Sequence, residues 1–269
     1  RRRWFYLPST IPVRAWRTSG VYSTPRSCDS APRRRLRSSA SRAVTLYIII
    51  IRRTSPRMPD SSADAAIAIA DVLLAFSNAL AQHAVARYGV YDDASSAKSD
   101  LFGVKLATVG KRHRADVGAY CDEIFASLRR DVARGRCASV GVVFRRANAA
   151  FDAYRFDARV DARGGETPSA ARKRDARDAL AATATKFVFV ADEGARKARL
   201  ATAREGRVEF EIVAEATSED APEGWRATST TDVDEECEVV GESAVREEIK
   251  RAVVEDTFEM VVSRVVRAE

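Results

Sequence analysis

Residues 117–144 constrain this chain more than any other stretch. Val117, Tyr120, Cys121, Ile124, Phe125, Leu128 and Val132 recur at three- and four-residue steps. Asp122, Glu123, Arg129, Arg130 and Asp131 fall off that line, so the spacing predicts a helix with one buried face. Gly135 supplies a helix stop. Val140-Gly141-Val142-Val143-Phe144 follows, a short β-rich run with no polar residue. It reads as a strand covered on both faces, although periodicity alone also admits a buried helix. Asn148 and its neighbours offer a turn, and Phe151, Tyr154 and Phe156 continue as a returning strand, which predicts a hairpin between Val140 and Asp157.

Around this centre the pattern alternates between helix and strand. Upstream, Ile69, Val72, Leu73, Phe76 and Leu80 line one face of a first helix. Downstream, the polar stretch Asp161 to Asp178, with Gly164, Gly165 and Pro168, reads as a loop leading into an alanine-rich helix that begins near Ser169. Lys186-Phe187-Val188-Phe189-Val190 has the residue types of a strand. Val208, Phe210 and Ile212 alternate with Glu209 and Glu211, the pattern of a half-exposed strand. From Thr217 to Glu238 the chain is polar and acidic apart from Trp225.

The formal charge of +7 is misleading until the chain is divided at Met58. Residues 1–57 hold fourteen arginines, no lysine and one acid, Asp29, for a net +13. The 212 residues that follow carry thirty-one basic and thirty-seven acidic side chains, a net −6. The high pI belongs to the tail, which argues against a body that coats nucleic acid and suits one that binds protein. The patch Val44 to Ile51 is too short to span a membrane. An arginine- and serine-rich, acid-poor leader has the composition of an organelle transit peptide, and basic clusters that of a nuclear localisation signal. The favoured expectation is a disordered extension over residues 1–57, or a translated chain that starts at Met58. About 210 residues remain, enough for one domain with its own core.

Catalytic chemistry finds little support. His83 falls on the first helix and His113 in a basic loop, neither with a partner at ligand or triad spacing, so a satisfied helix histidine is the expectation for His83. Cys28, Cys121, Cys137 and Cys237 form no Cys-x-x-Cys pair. Gly164-Gly165 and Gly194 lack a phosphate-loop fingerprint, and the acids Asp232, Asp234, Glu235 and Glu236 lack calcium-loop spacing. The expectation is a protein that is not an enzyme, with no catalytic residues, cofactor or metal.

The order and spacing of the elements resemble the HORMA domain. The matching pieces are Ala70-Asp71-Val72-Leu73 with Phe76, Val90-Tyr91 after the first helix, Tyr120 on the second, and the run to the close Tyr154-Arg155-Phe156-Asp157. A weaker likeness continues through Val208 to Val213, Trp225 and Phe258 to Val266. Asp92 stands where the family usually has proline, and Arg114-Ala115 where it often has His-Pro. Within the family the resemblance is nearest to the B-type mitotic arrest-deficient-like branch, the non-catalytic accessory subunits of translesion DNA polymerase zeta.

The resemblance implies an α+β fold in residues 58–269, three helices on a mainly antiparallel sheet, with Lys186 to Val190 inside the third helix. It also implies a mobile C-terminal safety belt over residues 204–269, which closes on a partner peptide added as a strand to the core sheet. The positions it assigns to that peptide are Tyr120, Trp225, Phe258, Val261 and Val262. Tyr120 reads equally as helix core, and the last three as sheet core. The implied role is a nuclear adaptor in DNA damage tolerance that clasps a peptide of the catalytic subunit and bridges it to a second translesion factor. A genuine transit peptide would place it in an organelle. No direct nucleic-acid contact by the core, no membrane, and homodimerisation through the third helix near Ala181 complete the expectation. The alternatives are a spindle-checkpoint or meiotic-axis protein of the same fold, and a basic-tailed nucleic-acid-binding protein.

Overall fold

The computed structural model describes residues 3–6, 62–91, 98–109, 114–146, 149–161, 169–201, 207–217, 226–227 and 244–267. A short strand β1 (Arg3–Tyr6) precedes helix α1 (Ser62–Arg87) and a hairpin of β2 (Lys98–Leu101) and β3 (Val104–Ala107). Next come α2 (Arg114–Ser127) and its short continuation α3 (Arg129–Ala133), then β4 (Cys137–Arg146), β5 (Ala149–Val160) and α4 (Ala170–Ala201). The chain ends in β6 (Val208–Ala216), β7 (Arg226–Ala227), β8 (Ala244–Val254) and β9 (Phe258–Arg267). Seven strands form one sheet in the order β7-β1-β6-β4-β5-β9-β8. Every pairing in it is antiparallel. Counting α2 and α3 as one interrupted rod, three helices pack on this sheet, the α+β architecture expected.

The rods bury the stripes that the spacing marked. Leu73, Phe76 and Leu80 of α1 and Val117, Cys121, Ile124, Phe125, Leu128 and Val132 of α2 and α3 are buried, while Ile69, Val72 and Tyr120 are half-buried. Ion pairs and hydrogen bonds fasten α1 to its neighbour: Asp71 pairs with Arg129 at 2.6 Å, and the Asn78 amide donates to Asp122 at 2.6 Å. By length and composition α1 could cross a membrane, yet Leu73, Leu80, Ala84 and Val85 are wholly buried here, as in the core helix of a globular domain. Gly135 ends the second rod at φ +68°, the left-handed conformation that glycine adopts without strain.

In β4 and β5 alternate residues serve two faces. Val140, Val142, Phe144, Tyr154 and Phe156 meet the helices, whereas Val143, Ala150 and Ala153 join Val213 and Val265 in a smaller cluster on the outer face. That is the strand buried on both sides read from Val140 to Phe144. Asn148, the expected turn, lies outside the described residues.

One open alternative closes and one expectation changes. Lys186 to Val190 lies inside α4 and is helical. Leu180, Ala184, Phe187, Ala191 and Ala195 are buried at three- and four-residue steps, while Phe189 is 71% exposed. In a strand Phe187 and Phe189 would share a face; on a helix they point nearly opposite ways. The changed expectation concerns the tail, since Arg3–Tyr6 is not outside the fold but pairs with β6. The rest of residues 1–57 lies outside the described residues.

A buried polar network joins α1, β5 and β9. The Asp152 carboxylate receives Arg264 Nε at 3.0 Å and Arg264 Nη2 at 2.6 Å, and the Tyr88 hydroxyl donates to it as well. The Tyr88 and Tyr154 hydroxyls are 2.9 Å apart. Burial holds both tyrosines well above the ordinary phenol range, with Asp152 adding to it. Burial opposes the charge on Arg264, but the bonds and charge of Asp152 outweigh it and raise its pKa. The C-terminal strand β9 is thus bolted to β5 by a bidentate ion pair.

Candidate functional site

β6 runs through the sheet with β4 along one side, from Val208 opposite Arg146 to Ala216 opposite Cys137. Its other side is the site of interest. There β1 pairs only with the last four residues, Val213 to Ala216. Among the described residues no strand covers that side of Val208 to Ile212. A row of backbone N–H and C=O groups along such an edge is a template for an added strand.

Tyr120 stands beside the uncovered half. It projects from α2, is half-buried, and meets the Phe210 ring of β6 edge-on at 5.9 Å. Its hydroxyl accepts a hydrogen bond from the Ile212 backbone amide. Backbone amides alternate between the two sides of a strand, so an amide taken by Tyr120 points away from β4, toward the edge. Burial, then Cys121 and Glu211, raise the Tyr120 pKa, which keeps the hydroxyl neutral. Tyr91, also half-buried, lies close enough to add to that shift. The edge therefore carries an aromatic shelf of Tyr91, Tyr120 and Phe210, suited to covering apolar chain while a hydroxyl meets the backbone.

The outer face of the sheet bears a line of paired charges from this edge to the C-terminal hairpin. Glu215 of β6 accepts from Ser139 Oγ at 3.1 Å and pairs with Arg155. Arg155 also meets Asp157 at 2.7 Å, and Asp157 pairs with Arg246 of β8. Arg246 Nε in turn donates to Ser263 of β9 at 3.1 Å. Glu215 and Arg155 are 5% and 15% exposed, so these pairs are screened far less than surface ones.

Of the five positions expected to meet a peptide, the structure brings Tyr120 to the β6 edge. Trp225 lies outside the described residues, but the next two form β7, paired with Phe5 and Tyr6 on the far side of β1. Phe258, Val261 and Val262 are elsewhere: they lie on β9, separated from β6 by β4 and β5. Phe258 and Val262 are held in the core beneath the helices, and Val261 is buried on the opposite side of its strand. Their apolar character follows from a strand buried on both faces. Sequence reasoning missed β1, as it missed β2, β3, β7 and β8; the signal of β1 is Trp4-Phe5-Tyr6, three β-forming aromatics inside an arginine-rich tail.

His83 has a structural role. It is 2% exposed, and its Nδ1 accepts from the Ala107 amide at 2.8 Å, tying α1 to β3. Burial, partly offset by Asp192, pulls its pKa down to about 4. Cys121 and Cys137 are buried thiols with pKa pushed up to about 12 by burial. His113, Cys28, Cys237 and the acids Asp232 to Glu236 lie outside the described residues. Among the described residues no cluster of His, Cys, Asp or Glu side chains is arranged to hold a metal ion.

No protein-family model matches the sequence, and no curated protein matches it. Solved structures do match its fold. A chain of a mitotic checkpoint complex superposes with a TM-score of 0.56 at 10% identity, over 76% of this chain and 97% of that one. A Caenorhabditis elegans HTP-2 structure, solved with a HIM-3 closure motif bound, superposes at 0.51 with 8% identity, over 74% of this chain and 90% of its own. Identities this low speak for architecture alone, and the architecture of this chain is the α+β fold of the HORMA domain.

Proposed function

We propose that this protein is a non-enzymatic adaptor that clasps an extended segment of a partner protein as a strand on the free side of β6. One observation carries the reading: a four-residue extended segment, β1, is already seated there, with β7 paired to its other side. A segment between an edge strand and a later piece of the same chain gains main-chain hydrogen bonds on both sides, and leaving requires the second set to break. The segment after β6, with Trp225 just before β7, is the part of the belt that closes over the partner. Tyr120 is the aromatic that greets the partner from beneath. The HTP-2 structure with a closure motif bound supports the peptide class, since it has the same fold.

The partner in this reading is a peptide of a translesion polymerase catalytic subunit, with a second translesion factor bound elsewhere on the complex, in the nucleus. The support for that choice is the sequence resemblance. A checkpoint or meiotic-axis role is the second reading, supported by the two solved structures of this fold. Co-expression of the full chain with fragments of each class, followed by co-purification, separates them. Recovery of the polymerase fragment, lost in Tyr120→Ala and in Trp225→Ala, is the expected result. Recovery only of checkpoint or axis fragments moves the function to the second reading, and recovery of none of them removes the clasp. Homodimerisation through α4 belongs to the same proposal, with exposed Phe189 near half-buried Ala181 on that helix. A Phe189→Ser chain that sediments like the wild type argues against it.

A further inference from the structure

We infer that Arg3–Tyr6 is a built-in occupant of the partner's place: the chain closes its clasp on its own N-terminal segment, and a partner must displace that segment to bind. The inference rests on the peptide-clasping reading and adds a competitor in the same molecule. Arg3, Trp4, Phe5 and Tyr6 run antiparallel to Ala216, Glu215, Ala214 and Val213. On their other side Phe5 and Tyr6 meet Ala227 and Arg226. Strand neighbours on both sides are what a clasped peptide would have, and here the chain supplies all three strands.

The occupant is suited to being replaced. It takes four of the nine β6 positions, leaving the edge beside Tyr120 and Phe210 open to a longer strand. A partner entering at Val208 to Ile212 can pair there first and then displace β1 residue by residue. Each backbone bond exchanged is worth little net of the water it displaces, so a partner that adds pairs along the open half gains over the occupant. Charge holds the occupant near. The first 57 residues carry +13 against −6 for the rest, and Glu209 is exposed on β6. Tethering adds an effective concentration that falls with linker length and is on the order of mM for short flexible linkers. A partner's apparent affinity is reduced by the fraction of molecules whose edge is already filled.

The test uses the full chain and a Phe5→Pro/Tyr6→Pro double variant. Adjacent amides point to opposite sides of a strand, so the pair of prolines removes one donor toward β6 and one toward β7, whichever way β1 faces. Hydrogen exchange is read at the amides of Val213 to Ala216 that point away from β4. In the variant their protection falls about tenfold or more, the equivalent of one or two net backbone hydrogen bonds, while β5 and β9 keep theirs. A labelled peptide with the sequence of Arg1 to Pro8 binds the variant at least tenfold more tightly than the wild type and restores the protection.

Equal protection in wild type and variant overturns the inference. Protection in the wild type that rises with protein concentration also overturns it, because the strand then comes from a second copy. If protection is lost but the co-purifying partner fragment associates equally fast with both proteins, the competitor falls and the clasp stands. If the variant takes up the Arg1–Pro8 peptide but no partner fragment, self-closure stands and the adaptor reading falls.

Discussion

Gly194 shows how much a single position can dictate here. It lies on α4 directly over the buried hydroxyls, and a Cβ built on it would stand 2.3 Å from the Tyr88 hydroxyl and 2.8 Å from that of Tyr154. Helix propensity alone favours alanine by about 1 kcal/mol. Both tyrosines are fixed by Asp152 and by each other, so the added methyl forces the network apart, at a typical overpacking cost of about 1–3 kcal/mol. Gly194→Ala should therefore lower stability in urea denaturation by up to about 2 kcal/mol, and an unchanged midpoint would show that α4 lifts away at little cost. His83 makes a second prediction. Its folded pKa of about 4 lies below the ordinary histidine value of 6.5, so between those values the unfolded chain binds the extra proton and stability falls as pH falls. From pH 7 to 5 the loss from this residue is about 2 kcal/mol. In His83→Gln, the stability difference between pH 7 and 5 should shrink by that amount, whatever the variant's stability at pH 7. His83 is the satisfied helix histidine expected, but its partner, the Ala107 amide, is 24 residues away and could not be read from its neighbours, and Gly194 lacks a motif.

Elements were legible wherever one face is apolar and the other is not. The stripes on α1 and α2, the stop at Gly135, the β4–β5 hairpin and the start of α4 all follow from side-chain period, because burying one face is what gives each element its stability. Ser169 caps α4 as placed, its hydroxyl accepting from the Arg172 amide at 3.2 Å. Period cannot decide where tertiary packing overrides composition. Four β-formers in Phe187 to Val190 yield to a helix that seats Phe187 against Tyr154 at 5.0 Å between ring centres. Nor can it show which strands become neighbours, and so Phe258, Val261 and Val262 of β9 could not be separated in advance from the β6 edge. Tyr120 was the ambiguous residue, core or contact, and the structure holds it half-buried beside the free side of β6. Its ring packs on Phe210, while its hydroxyl holds the Ile212 amide at the edge. Tyr120→Phe keeps the ring and deletes the O–H that the proposed clasp offers to the partner's backbone, so a co-purified partner fragment should dissociate about fivefold faster, the kinetic equivalent of one hydrogen bond. An unaltered dissociation rate would return Tyr120 to a purely structural role.

At the scale of the molecule, the order β7-β1-β6-β4-β5-β9-β8 splits the region after α4 between the two ends of the sheet. β6 and β7 frame the proposed clasp, and β8 and β9 form the opposite end, tied on by Asp152 and Arg264. A C-terminal segment that opens and closes has to break that pair each time. Arg264→Met removes the guanidinium and leaves Asp152, whose side chain is 3% exposed, buried without its cation. Loss of one partner from a buried pair costs about 3–5 kcal/mol, most of it from the stranded charge. Asp152→Asn combined with Arg264→Met strands no charge and should recover much of that loss, since a neutral amide is far less costly to bury. The informative readout is where the loss appears. If the pair bolts the hairpin on as a separate unit, Arg264→Met raises hydrogen exchange in β8 and β9 well before β4 and β6, and the double variant reverses it. If all four strands lose protection together, the hairpin unfolds only with the whole domain, and a belt that moves by itself must lie within the segment between β6 and β8.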